Sequence, residues 1–487
     1  MKKKLKLVFI RPSDQQQSYG KLNDLKLTAV EPPLWAALLA AFCRTLLASW
    51  RGKLTHSCEV VLLDEVVKNW DHETTAKKTA EERPDLVVIV VSGTNPSSST
   101  PVMPAASELA LTLRKNTDAK IMLLGLHPTA LPERSLAESG ADFVCLGEGF
   151  YTLADLILLL DTGRIDYDKV RGLCYKNGNT GQPPAFDRVE LLPPPAWDLM
   201  QLTDYRAHNW HCFDDINKRS PYATIYTSLG CPFGCSFCCI GSFFGKKMRY
   251  RTPQQIADEI QQLGVRNIKI TDEMFALNTE RVKEVCEAIG LLDLDLNIWA
   301  YARVNTVNAE QLKFMKAAGV KWLAYGIESG DDRVLNNVSK SLSTTTTRGV
   351  IKMTQDMGIS VCGNYIFGLT GEDESSMKRT LDLALDLKTE WANFYSVIPY
   401  PGSKLYRDAV MNGQQLPTNW RGYSQYSRDC KPLPTVALDS QQILEFRDHA
   451  FSTYYLDPGY LKLLKDKFGQ STVEHVNKML DHTMVRS

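Results

Sequence analysis

The sequence predicts an α/β protein with a Rossmann-like N-terminal domain, a full or partial barrel of the TIM type, and a mainly helical C-terminal region. Strand-length apolar segments alternate with helix-length segments twice, and the two series are separated by turn signals such as "NGNTGQPP" and "LLPPPAWDLM". After the second series the chain is polar and helical in period. We therefore predict domains at residues 1–160, 221–405 and 406–487, with a linker over residues 161–220.

The first series predicts a parallel sheet with helices on both faces. Its apolar segments include "LKLVFIRP", "CEVVLLDEV" and "PDLVVIVV", and helical segments such as "PPLWAALLAAFCRTLLA" and "AASELALTLRKN" lie between strands. Ligands of such sheets bind at the carboxyl ends of the strands. The loops expected there, "SGTNPSSST", "GLHPTALPE" and "GEGFYT", are small, polar and contain glycine, which suits close approach of a large ligand.

The second series has six strand–helix units, which is more than a small doubly wound sheet needs. Its strands are expected in "ATIYTSLG", "NIKITDEMF", "LNIWAYARVN", "VKWLAYGIESG", "ISVCGNYIFGL" and "WANFYSVIPYP". Several of the intervening helices end in glycine, a common C-cap. Six consecutive units favour a full or partial barrel, whose chemistry would lie at the carboxyl ends of its strands.

Composition narrows the function classes. Lys plus Arg and Asp plus Glu both number 56 among 487 residues, so net charge gives no electrostatic argument for nucleic-acid binding. No apolar run approaches the roughly 20 residues of a membrane helix, and the start "MKKKLK" lacks the features of a secretory signal. Most of the 12 cysteines are scattered singly, which favours a reducing compartment; we expect a cytoplasmic protein.

The most specific pattern is "TSLGCPFGCSFCCIGSFFG", in which Cys231, Cys235 and Cys238 are spaced C-x3-C-x2-C. Three thiolates turned toward one centre bind zinc or an iron-sulfur cluster. Structural zinc wants four ligands, and the sequence has no matching second pair of cysteines. The spacing therefore favours a cluster with one iron left open, while zinc and unrelated thiols remain alternatives.

The segment "CPFGCSFC", after a strand that opens a six-unit series, resembles the radical S-adenosylmethionine (SAM) superfamily. The resemblance implies that Cys231, Cys235 and Cys238 hold a 4Fe-4S cluster and that SAM chelates the fourth iron. Phe237 would lie beside the adenine of SAM. Cys239 falls one place past the last ligand, and we expect it to be a buried or pocket-lining thiol.

Further motifs at successive strand ends strengthen the resemblance, and they imply contacts to SAM or the substrate. Carboxylates after the second strand suit the SAM amine, and an arginine after the third strand suits a carboxylate or the substrate. Polar groups after the fourth strand suit the ribose and the carboxylate of SAM. Glycines after the fifth strand let the backbone approach the adenine. The residues are Asp272, Glu273, Arg303, Glu328, Ser329, Gly368 and Gly371.

The N-terminal part resembles the cobalamin-binding domain of cobalamin-dependent radical SAM enzymes, most clearly in "LLGLHPTALPERSLAESGADFVCLGEGFYTLADLI". The resemblance implies cobalamin contacts at Ser92, Thr94, His127, Gly147 and Glu148; for His127, a loop-capping role is the alternative. Many cobalamin proteins supply a histidine to cobalt through D-x-H-x-x-G. The corresponding loop here, "RPSDQQQSYG", has glutamine in that place.

Together these resemblances imply an enzyme, a C-methyltransferase that uses a 5′-deoxyadenosyl radical and methylcobalamin on an unactivated carbon of a small molecule. Its cofactors would be the 4Fe-4S cluster, SAM and cobalamin, and its partner an electron donor such as flavodoxin or ferredoxin. A cobalamin-dependent ring-rearranging or cyclising enzyme without net methylation is the main alternative.

A tRNA methylthiotransferase and a non-catalytic cobalamin-binding protein have less support. The methylthiotransferase needs three further N-terminal cysteines, whereas Cys43, Cys58 and Cys145 are scattered. The non-catalytic protein would not need the intact cysteine triad. Because cobalamin and the cluster must face one cavity, aromatic residues are candidate walls of that cavity, with core packing as the competing role. They are Trp210, Tyr222, Tyr301, Tyr325 and Tyr365.

Overall fold

A computed structural model describes residues 5–13, 28–49, 58–93, 98–163 and 166–481 of the chain. It has two large sheets, each covered by helices, and a helical C-terminal region. The predicted α/β fold class is confirmed. Within the described residues, no helix is both long enough and apolar enough to cross a membrane.

The N-terminal sheet has seven strands in the order β2-β1-β3-β4-β5-β6-β7; the first five are parallel, and β6 and β7 are added antiparallel. The strands are β1 (Leu5–Arg11), β2 (Cys58–Asp64), β3 (Leu86–Val91), β4 (Lys120–Gly125), β5 (Phe143–Cys145), β6 (Leu173–Tyr175) and β7 (Gly178–Asn179). The sheet therefore continues beyond residue 160, into the range predicted as linker. The order 2-1-3-4-5 is that of flavodoxin-like sheets, which bind ligands where β1 and β3 diverge.

Helices cover both faces of this sheet because its central strands are apolar on both sides. Leu86 and Val88 of β3 lie in one core, whereas Val87 and Ile89 lie in the core on the opposite face. The helices are α1 (Leu34–Ser49), α2 (Glu65–Lys68), α3 (His72–Glu82), α4 (Ser99–Asn116), α5 (Leu126–Ala130), α6 (Pro132–Ser139) and α7 (Phe150–Thr162). The segment "LHPTA", predicted as loop, forms the short helix α5.

The second sheet has six parallel strands in sequence order, β8-β11-β12-β13-β14-β15. These strands are β8 (Tyr222–Ile225), β11 (Asn267–Ile270), β12 (Asn297–Ala302), β13 (Val320–Glu328), β14 (Ser360–Phe367) and β15 (Trp391–Ser396). The two edge strands, β8 and β15, are not paired with each other, so the barrel is partial. Two short antiparallel strands, β9 (Ser228–Leu229) and β10 (Arg249–Tyr250), pair beside it.

The barrel helices begin at well-formed caps, for example a capping box at Thr252 and another at Asn308. They are α8 (Gly241–Phe244), α9 (Pro253–Leu263), α10 (Thr279–Gly290), α11 (Ala309–Ala317), α12 (Asp332–Asn337), α13 (Thr344–Asp356), α14 (Glu374–Leu387) and α15 (Lys404–Met411). Short 3-10 turns lie mainly in the connecting segment, at Tyr167–Lys169, Val189–Leu191, Trp197–Leu199, Leu202–Asp204, Trp210–Cys212 and Ile216–Lys218, and also at Val304–Thr306 and Trp420–Tyr423.

The C-terminal helices are α16 (Ser440–Tyr455), α17 (Pro458–Phe468) and α18 (Gln470–Leu480). Three buried tyrosines fix them to the barrel. The hydroxyl of Tyr455 donates to the carbonyl of Ala392 on β15 (2.7 Å), and the hydroxyls of Tyr454 and Tyr460 donate to carbonyls just before that strand.

Buried ion pairs join the N-terminal domain to the barrel. Glu31 accepts two hydrogen bonds of 3.0 Å from the Nζ atom of Lys269 on β11, and Glu148 pairs with Arg249 on β10. Buried charges need such partners, so these pairs fix where the two domains meet. The carboxyl end of the N-terminal sheet thus faces the barrel.

Candidate active site

The cysteine loop leaves β8 through β9 and returns through β10. Its neck is closed by the Cys231 N–H, which donates to the carbonyl of Gly245 (3.3 Å). Gly230 has φ 101°, and a Cβ there would lie 2.3 Å from the carbonyl oxygen of Lys247, so only glycine fits. The loop is also held from outside, because the Ser236 N–H donates to Val338 and the Ser236 carbonyl accepts from Leu405.

The three predicted ligand cysteines sit on this loop in different surroundings. Cys231 and Cys235 are half-buried, and Cys238 is exposed toward an internal cavity rather than packed in the core. The protein around the cavity shields both thiolates from bulk water, which raises the pKa of Cys231 and raises that of the cavity-lining Cys238 more strongly. The guanidinium of Arg303 donates to the Sγ atom of Cys235 (3.5 Å) and lies over the ring of Phe233. Thiols of raised pKa become thiolates once a cation binds them, and here that cation would be iron.

Among the described residues, no three His, Cys, Asp or Glu side chains gather closely enough to hold one metal ion. The loop supplies three thiols, whereas a structural zinc site usually has four protein ligands. A cluster fits better, because its several iron atoms separate the sulfurs of its ligands. The donor set, three thiols and no fourth protein ligand, suits a cluster with one open iron.

A cavity of about 570 Å³ opens beside the loop and is lined by every part of the chain. Thr28, Ser98 and Pro101 come from the N-terminal domain, and Phe237 and Cys238 from the cysteine loop. The remaining wall is largely aromatic and is formed by the connecting segment, the inner faces of β11 to β15, and the C-terminal region. The aromatic side chains are His208, Trp210, Trp299, Tyr301, Trp391, Phe394, Tyr395, Tyr400, Tyr426 and Phe451.

Two adjacent carboxylates after β11 have different roles. Glu273 lines the cavity, and burial raises its pKa to about 7, opposed by the nearby cation of Lys269. Asp272 faces away from the cavity: its carboxylate accepts from the backbone N–H of Thr227 and from the hydroxyls of Thr227 and Ser228. Asp272 was predicted to contact the SAM amine, but the structure uses it to fix the strand that leads into the cysteine loop.

The polar side chains that follow β13 are hydrogen-bonded to other side chains of the protein. Glu328, with φ 67°, accepts a hydrogen bond of 2.7 Å from the buried ammonium of Lys340. Ser329 is fully buried, and its hydroxyl contacts Thr380 and the carboxyl of Glu372. The cation of Lys340 opposes the rise in the pKa of Cys231, so the Glu328–Lys340 pair lies near the cysteine loop.

The glycines after β14 form a tight turn closed by Glu372. The Glu372 carboxyl accepts from the N–H groups of Gly368 (2.6 Å) and Leu369 (2.9 Å). Gly368 and Gly371 have φ 83° and 85°, and a Cβ on either would collide with a neighbouring side chain. Leu369 packs in the same small core as Phe237, so this turn supports the cavity wall beside the loop.

Two family models match the chain. A model described as the B12 binding domain matches residues 20–157, and one described as the radical SAM superfamily matches residues 225–384. The chain therefore contains a radical SAM domain that follows a B12-binding domain. The prediction of a 4Fe-4S cluster, SAM and cobalamin as cofactors is thereby confirmed.

Two relatives and one solved structure are similar to this chain over most of its length. A protein of Pyrococcus horikoshii described as an uncharacterized methyltransferase is 29% identical over 450 residues, covering 90% of each chain. An anaerobic magnesium-protoporphyrin IX monomethyl ester cyclase of Rubrivivax gelatinosus is 26% identical, covering 90% of this chain and 76% of that protein. The radical SAM methyltransferase TsrM of Kitasatospora setae shares the fold, with a TM-score of 0.68, 18% identity, and coverage of 94% and 90%.

The predicted cobalamin-contact residues of the B12-binding domain differ in their surroundings. Ser92 directly follows β3 and lines a pocket of about 40 Å³ together with Arg11, at the point where β1 and β3 diverge. Gly147, with φ 75°, donates its N–H to the hydroxyl of Thr129 (3.0 Å). Thr94 lies outside the described residues, as do Asp14 and Gln16 of the loop that lacks the cobalt-ligand histidine.

The structure gives two predicted cobalamin contacts other roles. His127 is fully buried in α5, where Nδ1 lies 3.1 Å from the hydroxyl of Thr100 and the ring packs against Trp420. Burial lowers its pKa to about 3, so it is neutral. The carboxylate of Glu148 is committed to Arg249 and to the N–H of Phe186. Both side chains therefore serve contacts within the protein rather than an open site.

Sequence reasoning missed several cavity residues of the radical SAM domain and its neighbours. His208 accepts from the N–H of Ala29 through Nδ1 (3.3 Å), so the neutral ring carries its proton on Nε2. Lys269 and Arg447 line the cavity from a strand and a C-terminal helix. No motif marks these residues, because only the tertiary fold brings them together. Of the predicted aromatic walls, Trp210 and Tyr301 line the cavity, whereas Tyr222, Tyr325 and Tyr365 are buried in the core.

Proposed function

We propose that the chain is a cobalamin-dependent radical SAM C-methyltransferase acting on an unactivated carbon of a small molecule. The observation that carries the proposal is the single cavity that touches the cysteine loop, the carboxyl side of the B12-binding domain and a separate aromatic wall. When bound, the cluster, SAM and cobalamin supply hydrogen-atom abstraction and delivery of a methyl group. The protein holds the reacting parts together and excludes water.

Cys231, Cys235 and Cys238 would hold the cluster. Arg303 supplies positive charge at Cys235, and the cavity-facing carboxyl of Glu273 suits the amino group of SAM. Phe237 offers an aromatic face to the adenine, next to the turn formed by Gly368 and Leu369. These assignments agree with the donor chemistry of each side chain.

The remaining wall indicates the substrate class. It is rich in aromatic side chains, and its charged groups balance, since Lys269 and Arg447 are matched by Glu273 and Asp448. Such a wall favours a largely apolar, ring-containing molecule that carries hydrogen-bonding groups and no large net charge. We infer further that a flavodoxin- or ferredoxin-type protein supplies the electron that starts each cycle.

The test is a cobalamin-loading experiment under anaerobic conditions. Purified chain incubated with hydroxocobalamin should retain the cofactor with a changed visible spectrum. After reduction, SAM carrying a deuterated methyl group should give deuterated methylcobalamin by mass spectrometry. A chain that retains no cobalamin would overturn the proposal.

Ring formation without net methylation is the second candidate, because a relative that matches 90% of this chain is named a cyclase. The products separate the two. A methyltransferase adds the deuterated methyl group to a small molecule, whereas a cyclase consumes SAM to 5′-deoxyadenosine and leaves its product free of that label.

A further inference from the structure

The polypeptide around the cysteine loop has a strongly uneven charge. Residues 216–257 contain six Lys or Arg residues and no Asp or Glu, although Lys plus Arg equals Asp plus Glu over the whole chain. The six cations are Lys218, Arg219, Lys246, Lys247, Arg249 and Arg251. A sequence run of this kind matters only where its charges reach the surface unpaired.

Two of these cations do. Arg249 and Arg251 are buried and paired with Glu148 and Glu259, and Lys218 pairs with Asp215. Arg219 is half-buried, and its guanidinium donates to backbone carbonyls. Lys246 and Lys247 are exposed, and neither has an ion-pair partner in the part of the chain that the structure describes. Their two charges are therefore available to a partner from solution.

The same two lysines stand at the neck of the cysteine loop. The Nζ atom of Lys246 lies 4.0 Å from the position that a Cβ of Gly234 would occupy, and Gly234 directly precedes Cys235. Pro232, Gly234, Lys246 and Lys247 are all exposed, and none of them lines the cavity that Cys238 faces. We call these four residues the outer face of the loop.

We propose that this outer face is the docking surface for an acidic one-electron carrier protein of the flavodoxin or ferredoxin type. The inference rests on the proposed function, which requires an electron at the cluster. In the step concerned, one electron leaves the carrier and enters the cluster; the carrier is oxidised, the cluster is reduced, and no covalent bond changes. The cavity side holds SAM and substrate, whereas the outer face brings a carrier to the exposed Gly234, which directly precedes the ligand Cys235.

Charge complementarity selects the partner. Two unpaired ammonium groups beside exposed backbone attract a partner with clustered carboxylates and steer its approach, most strongly at low salt. They carry too little charge to make a nucleic-acid site, which needs several phosphate contacts. A carrier protein also needs only a brief encounter, for which a small charged face suffices.

The experiment measures binding of a purified acidic flavodoxin to the full chain, with and without its cluster, by biolayer interferometry at low and high salt. Lys246→Glu combined with Lys247→Glu should weaken binding roughly tenfold or more at low salt, with the difference shrinking at high salt. Lys313→Glu combined with Lys465→Glu, on exposed positions of α11 and α17, makes the same change of charge and should leave affinity within twofold of wild type.

Cluster reduction gives the second readout. Stopped-flow reduction by flavodoxin hydroquinone should slow about tenfold in the Lys246/Lys247 variant at low salt, while dithionite should reduce wild type and variant at equal rates. The docking proposal would be overturned if variant and wild type bound flavodoxin with equal affinity. It would also be overturned if an oligonucleotide bound as tightly as flavodoxin and lost affinity in the same way in the Lys246/Lys247 variant. A chain that takes up no cluster would instead overturn the proposed function, and flavodoxin binding to the cluster-free chain would still test the docking surface.

Discussion

Replacing Glu148 by glutamine should destabilise the fold rather than only weaken cobalamin binding. Arg249 is almost wholly buried, and its guanidinium donates two hydrogen bonds to Glu148, at 2.7 and 3.0 Å, and one each to the carbonyls of Phe186 and Phe244, at 2.6 Å. Glu148→Gln leaves that cation without a counter-charge. Removing one partner of a buried pair costs about 3–5 kcal/mol.

The loss is large compared with the 5–15 kcal/mol that usually stabilises a folded protein. In thermal unfolding followed by circular dichroism, the variant should melt on the order of 5 °C below wild type. The double variant Glu148→Leu with Arg249→Met removes both charges and should recover much of the lost stability, because apolar replacement of a whole buried pair is often neutral. A Glu148→Gln protein that melts with wild type yet loses cobalamin would refute the structural role.

Three further predictions concern the loop and its supports. Asp272→Ala leaves three donors from Thr227 and Ser228 without an acceptor, at a cost of roughly 1 kcal/mol each. The iron content after reconstitution should therefore fall in this variant, whereas Glu273→Gln should keep its iron. Equal iron content in the two variants would contradict the structural role of Asp272. Cys239→Ser should retain the full iron content, since Cys239 is outside the triad, and loss of iron would make it a ligand. Burial raises the pKa of Glu372 from 4.5 to about 8, so the folded state keeps a proton that the unfolded state has lost between those pH values. The melting temperature should therefore fall as pH rises from 5 to 8, and Glu372→Gln should make this fall less steep. The same dependence of melting temperature on pH in the variant and wild type would contradict the prediction.

The fold could be predicted from sequence because its strands are apolar on both faces. "LVVIVV" buries all six residues, so it needs no knowledge of its neighbours to be placed inside a parallel sheet. The cysteine loop could be predicted because its spacing is local. The helix at "LHPTA" was missed because Pro128 and a preceding glycine suggested a loop, although proline is acceptable in the first turn of a helix.

The orientation of individual side chains could not be predicted. Asp272 and Glu273 are adjacent and chemically alike, and only the position of the Thr227–Ser228 donors decides which one faces the cavity. The partner of Glu148 is 101 residues away in the chain, and the acceptor role of His208 depends on Ala29, 179 residues distant. Such contacts follow from the docking of domains, which no local pattern encodes.

The central claim is that three cysteines bind a cluster that acts on SAM, and one experiment tests it most directly. Wild-type chain and Cys235→Ala are reconstituted anaerobically with iron and sulfide, assayed for bound iron and zinc, and incubated with SAM and dithionite. The account predicts about four iron and four sulfide per wild-type chain and release of 5′-deoxyadenosine, with both lost or sharply reduced in Cys235→Ala. Zinc in place of iron, or equal 5′-deoxyadenosine from the variant, would contradict it.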